Sequence, residues 1–110
     1  MIYELSDDCV FVILTDYASM GKELQIINDT LQDSPDRNVI IDFSKVQMLT
    51  SSHLSNLMIL RNLLEQNGRK LILCHVSFQI KCEFTVCGLR DVFDFADDKY
   101  AAQVVLEKIG

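Results

Sequence analysis

The chain of 110 residues is short of long apolar runs, of clustered glycine and of positive charge, and each shortage removes a class of function. No stretch approaches the ~18 consecutive apolar residues that a membrane-spanning helix needs. Met1-Ile-Tyr-Glu-Leu5 has no basic segment followed by an apolar one, so no secretory leader is expected. A cytoplasmic protein without membrane insertion is expected. The four glycines, Gly21, Gly68, Gly88 and Gly110, lie far apart, which excludes the glycine-rich phosphate loops. No G-x-S-x-G elbow occurs. Ten basic residues stand against sixteen acidic ones, a net charge of -6. A general nucleic-acid binder needs a basic patch, so nucleic acid is not an expected partner.

Histidine and cysteine offer no metal site. His53 and His75 have no zinc-like spacing, and Cys9, Cys74, Cys82 and Cys87 contain no C-x-x-C pair. No metal and no cofactor are expected. All four cysteines are read as reduced and mostly buried, because each falls in an apolar or amphipathic pattern. Ser51 and His53 are two apart, and such neighbours on a helix do not face each other. With no acidic third member nearby, a hydrolytic triad is not supported. Asp16 and Asp42 fall at strand ends and read as solvated caps. No catalytic residue is assigned, and an interaction module is expected rather than an enzyme.

What is present is a regular alternation of periods. Met1–Leu5 and Cys9–Leu14 are short runs of β-formers around Ser6-Asp7-Asp8, a hairpin pattern. Met20, Leu24, Ile27 and Leu31 recur at helical steps after a candidate cap at Ser19, and this helix ends before the single proline, Pro35. Val39-Ile-Ile41 within 38–43 and Leu71–Cys74 within 70–76 are continuous apolar runs, as in strands covered on both faces. A helix is predicted from Ser51 or Ser52 to Gln66, stopped at Asn67-Gly68. A third runs from Ser77 to Gly88. Val92–Phe95 reads as an edge strand, and Asp97 or Asp98 caps a last helix carrying Ala101, Val104, Val105 and Leu106. The order ββαβαβαβα predicts one α/β domain over residues 1–110, with a mixed, largely parallel sheet and flanking helices.

The junction at 42–57 is the centre of this pattern. Thr50-Ser51-Ser52 stands where strand gives way to helix. A hydroxyl there accepts a hydrogen bond from the unpaired N–H groups of the first turn. The same helix start, with free donors and partial positive charge, can hold a phosphate.

Asp42-Phe-Ser44, Val46 and Leu49-Thr-Ser-Ser-His-Leu54 resemble the signature of the STAS domain, D-x-S, an apolar connector, then D-S-[ST]-G-L opening a helix. A second stretch, Ser77, Ile80, Phe84, Gly88, Leu89 and Phe93, is similar to the family's S-x-x-[IV]-x-x-x-F-x-x-x-G-L-x-x-x-F. The resemblance covers nearly the whole chain and implies a STAS-like sheet. It also implies a bacterial regulatory protein like the anti-sigma-factor antagonists. Such a protein binds an anti-sigma-factor kinase that phosphorylates a serine, and a phosphatase reverses the step. The serine carried over is Ser51, with Thr50 at the motif's acidic position and His53 at its glycine. The expected partner surface comprises Asp16, Thr50, Ser51, Ser52, His53, Leu54, Leu57 and Met58. The alternative is a STAS scaffold or accessory subunit with no phosphate cycle, for example on a transport ATPase. A small-ligand or nucleotide sensor is a third reading.

Overall fold

Apolar runs without a helical period become the middle of a sheet. A computed structural model describes residues 2–6 and 8–109. Strands β1 (Ile2–Leu5) and β2 (Cys9–Ile13) form an antiparallel hairpin with Leu5 opposite Val10. Asp7, in the predicted turn, lies outside the described residues. Strands β3 (Asn38–Asp42), β4 (Leu71–Cys74) and β5 (Asp94–Ala96) then add in parallel, in the order β1-β2-β3-β4-β5. The connecting helices are α1 (Tyr17–Asp33), α2 (Ser51–Gln66) and α3 (Phe78–Val86), with α4 (Lys99–Ile109) after β5.

The alternation of side chains along each strand divides the core in two. Val10, Val12, Val39, Ile41, Leu71 and Leu73 face one side, where α1, α2 and α3 cover them with Leu24, Leu57, Leu60, Ile80 and Phe84 among others. Phe11, Ile40, Ile72 and Cys74 face the other side, against Ala102 and Leu106 of α4. Double coverage explains why β3 and β4 read as unbroken apolar runs. Phe84 anchors the larger cluster, with ring contacts to Phe43, Phe93 and Phe95.

Several helix boundaries follow from caps that the sequence displays. Ser77 Oγ accepts from Ile80 N, and Asp98 Oδ1 accepts from Ala101 N. Gly68 and Gly88 follow α2 and α3 with φ of 70° and 73°, the left-handed region that glycine enters without strain. Three expectations need correction. Asp16, not Ser19, caps α1: its Oδ1 accepts from Ser19 N at 2.9 Å, which puts Ser19 inside the first turn. The last strand is Asp94–Ala96 rather than Val92–Phe95, because Phe93 turns inward onto Phe84. Cys74 is buried and Cys9 partly so, but Cys82 and Cys87 are exposed, since α3 buries only Ile80 and Phe84.

Candidate functional site

The loop between β3 and α2 is held at both ends before it presents its hydroxyls. At the strand end, Asp42 Oδ1 accepts from Ser44 N at 2.7 Å, and Val46 N donates to the Phe43 carbonyl. Val46 is buried beneath the loop. At the helix end, Glu83 of α3 reaches across so that its Oε2 accepts from Leu49 N at 3.2 Å. The chain then enters α2 through Thr50, whose Oγ1 accepts from His53 N. His53 returns the bond: its Nδ1 accepts from Thr50 N at 3.1 Å. This reciprocal arrangement is a capping box with imidazole in the place of the usual Glu or Gln side chain.

The box fixes the chemistry of His53. An imidazole Nδ1 that accepts a hydrogen bond is unprotonated, so the neutral ring carries its proton on Nε2. Burial lowers the pKa of His53 below the ordinary histidine value, in the same direction. The residue is only 6% exposed. Its ring meets Tyr17 edge-on, with centroids 5.5 Å apart and planes at 86°. On its other flank it lies against α1 where that helix has Gly21: a Cβ there would sit 3.6 Å from His53 Nε2. The starts of α1 and α2 are therefore joined by one buried imidazole. The expectation that His53 forms part of the partner surface is corrected by this packing.

The remaining predicted residues divide by exposure. Ser51 and Ser52 occupy the first turn of α2 and are exposed, as is Asp16 at the start of α1. Thr50 and Met58 are half-buried. Leu57 is fully buried and Leu54 nearly so, both within the larger core cluster. They cannot form the partner surface expected of them; the apolar early turns of α2 serve the core instead. The exposed apolar residues near the junction are Met48 in the loop and Tyr17, each about half exposed. Sequence reasoning missed Tyr17, Gly21 and Glu83. One signal pointed to Gly21, since a glycine inside a helical pattern calls for a packing reason, and the capping-box spacing of Thr50-x-x-His53 pointed to the ring it packs against.

Among the described residues no three metal-ligating side chains form a group that could hold an ion. No helix among them is long and apolar enough to cross a membrane. Asp42, buried at the end of β3, has His75 Nε2 at 3.8 Å from its Oδ2.

A sequence model of the STAS domain matches residues 16–102, and the chain belongs to that family. A search of curated protein sequences finds no match. Among solved structures, the chain is similar to RsbS from Moorella thermoacetica in a serine-to-glutamate variant, with TM-score 0.83 and 15% identity over 98% of this chain and 95% of that one. It is similar to SpoIIAA of Bacillus in its phosphorylated form, with TM-score 0.68 and 17% identity over 94% and 97%. It is also similar to a sulfate transporter family protein from Wolinella succinogenes, with TM-score 0.73 and 13% identity over 99% and 91%. At these identities the likeness speaks for the fold.

Proposed function

We propose that this STAS domain is a partner-switching module whose phosphate acceptor is Ser51. Its expected partners are a serine kinase of the anti-sigma-factor type and a phosphatase. The observation that carries the reading is the position of Ser51: exposed, in the first turn of a 16-residue helix, beside a side-chain cap that leaves its own hydroxyl free for chemistry. A phosphate there adds about -1.5 to -2 charge at neutral pH. The helix N-terminus tolerates that charge, so the domain stays folded. The effect falls on the partner. A surface that binds Ser51 and Ser52 together with Met48, Tyr17 and Asp16 must then accommodate a dianion. Loss of about 3 kcal/mol, in the range for an unpaired charge in an interface, weakens binding by more than about a hundredfold.

The family's glycine position does not obstruct this reading. His53 is bulkier than glycine, but its ring is turned inward onto Tyr17 and Gly21 rather than over Ser51. A second reading, a scaffold or accessory STAS subunit without a phosphate cycle, is favoured by Thr50, a neutral cap where the family motif has an acid. The two are separated by incubating the protein with the anti-sigma-type kinase of the same cell and ATP, then mapping phosphate by tandem mass spectrometry. The switch requires a single phosphate on Ser51, its absence in Ser51→Ala, and loss of kinase binding in Ser51→Asp with the fold intact. An unmodified Ser51, together with wild-type affinity in Ser51→Asp, gives the scaffold reading instead.

A further inference from the structure

Away from Ser51, beneath the outer edge of the sheet, the helices leave a cavity of about 190 Å³. Its origin is geometrical. Helices α1 and α2 pack over the middle strands, whereas β1 is an edge strand at the border of what α1 covers. Val10 and Val12 of β2 line the cavity from the sheet, and Ile27 and Leu31 line it from α1. Leu5 and Ile26, both exposed, stand at its rim. Its polar lining is Thr30, Ser34 and Arg37.

Arg37 is the member that folding alone does not account for. Its Nε is shut off from solvent and, among the described residues, has no hydrogen-bond partner. Among the described residues Arg37 takes part in no ion pair. A guanidinium is always charged, and its two Nη groups, which are not enclosed, can meet a carboxylate through two parallel hydrogen bonds. The enclosed Nε leaves the guanidinium short of acceptors, and a carboxylate on its other nitrogens would make up part of that deficit. In a chain of net charge -6, one unpaired cation at the mouth of an apolar cleft is a specific feature.

We propose that this cleft binds an aliphatic carboxylate, with the chain between the hairpin and α1 and the carboxylate on Arg37. The size follows from the volume: an apolar cavity of about 150 Å³ takes up benzene, so this one suits a chain of about six to eight carbons. Thr30 and Ser34 line the same cleft, and their hydroxyls are further donors for the head group. Ile26 is ten residues along the chain from the α1 cap at Asp16, about 15 Å at ~1.5 Å per residue. An occupant of the cleft is therefore separate from a partner seated on Ser51, and the proposal is independent of the phosphate switch.

The test is an amide NMR titration of the full chain with octanoate, repeated with octanol, which has a similar chain and no charge. The expected result is a saturable shift centred on Leu5, Ile26 and Thr30, at least tenfold weaker for octanol. Arg37→Gln should weaken octanoate at least tenfold, and Thr30→Trp, which fills the cleft, should abolish the shift, both with unchanged thermal melts. Equal affinity for octanoate and octanol in the wild type overturns the role of Arg37 without reliance on any variant. Absence of saturable binding overturns the site, as do shifts centred on Ser51. If the rim signals instead move only with protein concentration, the cleft is a self-association surface and the proposal fails.

Discussion

Replacing His53 separates the two things its ring does, capping α2 and titrating. His53→Ala removes the acceptor for Thr50 N–H and empties the space between Tyr17 and Gly21. A lost intramolecular hydrogen bond costs about 1 kcal/mol, and the uncovered apolar ring surface about as much again. The expected loss is about 2 kcal/mol, a fall of about 1 M in the urea midpoint for a small domain. His53→Gln is the informative partner, because glutamine supplies the usual capping-box acceptor and does not titrate. It should retain most of the stability at pH 7.5. The pH dependence then isolates the ring. Burial lowers the folded-state pKa of His53, so on acidification the unfolded chain takes up its proton first. This group's contribution is complete above the ordinary histidine pKa of about 6.5 and is lost as pH falls from there towards the lowered value. The lost slope is at most about 1.4 kcal/mol per pH unit. His75, beside Asp42, is present in every variant and cancels. Urea denaturation of wild type and His53→Gln at pH 7.5 and 5.5 should therefore converge or cross in favour of glutamine at the lower pH. If wild type and His53→Gln keep the same difference at both pH values, or if glutamine is as damaging as alanine, the buried capping role is refuted.

Three further outcomes follow from the packing. Gly21→Ala should raise stability by about 0.5–1 kcal/mol in thermal or urea unfolding, because a Cβ at 3.6 Å from His53 is an ordinary contact and glycine disfavours a helix interior; a destabilised variant would mean that the ring needs more room. Phe84→Ala should cost about 3–5 kcal/mol, since the side chain is fully buried and meets three other aromatic rings. In the native protein a thiol reagent should label Cys82 and Cys87 quickly and leave Cys74 until unfolding, because burial, with Asp42 and Asp98 nearby, pushes the Cys74 thiol up to about 12; early labelling of Cys74, followed by peptide mass analysis, would contradict its burial.

The order of elements was legible because each signal is local. Val39–Ile41 and Leu71–Cys74 lack polar positions since helices lie on both sides, and Gly68 and Gly88 mark helix ends because they adopt positive φ. Ser51 was likewise placed at the start of its helix by the cap before it. What was not legible depends on partners distant in sequence. Nothing near Leu54 or Leu57 says whether an apolar face meets the core or a partner; only the packing of α1 on α2 decides it. His53 was expected on the partner surface because its cover, Gly21 and Tyr17, comes from a helix some thirty residues earlier. Phe93 left the predicted strand for a pocket beside Phe84 that no alternation of residues reveals.

The division of the core has a consequence for how the chain is made. Each strand is laid beside the one before it, so the sheet and its α1–α3 cover can assemble in the order of synthesis. The reverse face cannot. Among the described residues its cover comes from α4, which follows all five strands. A nascent chain that has not yet released Lys99–Ile109 carries Phe11, Ile40 and Ile72 as an apolar strip across three adjacent strands, open to water. Such a strip is what holdase chaperones bind and what drives association between incomplete chains. The last helix thus acts as a clasp: its arrival does not order the strands, but it ends the period in which the chain is adhesive.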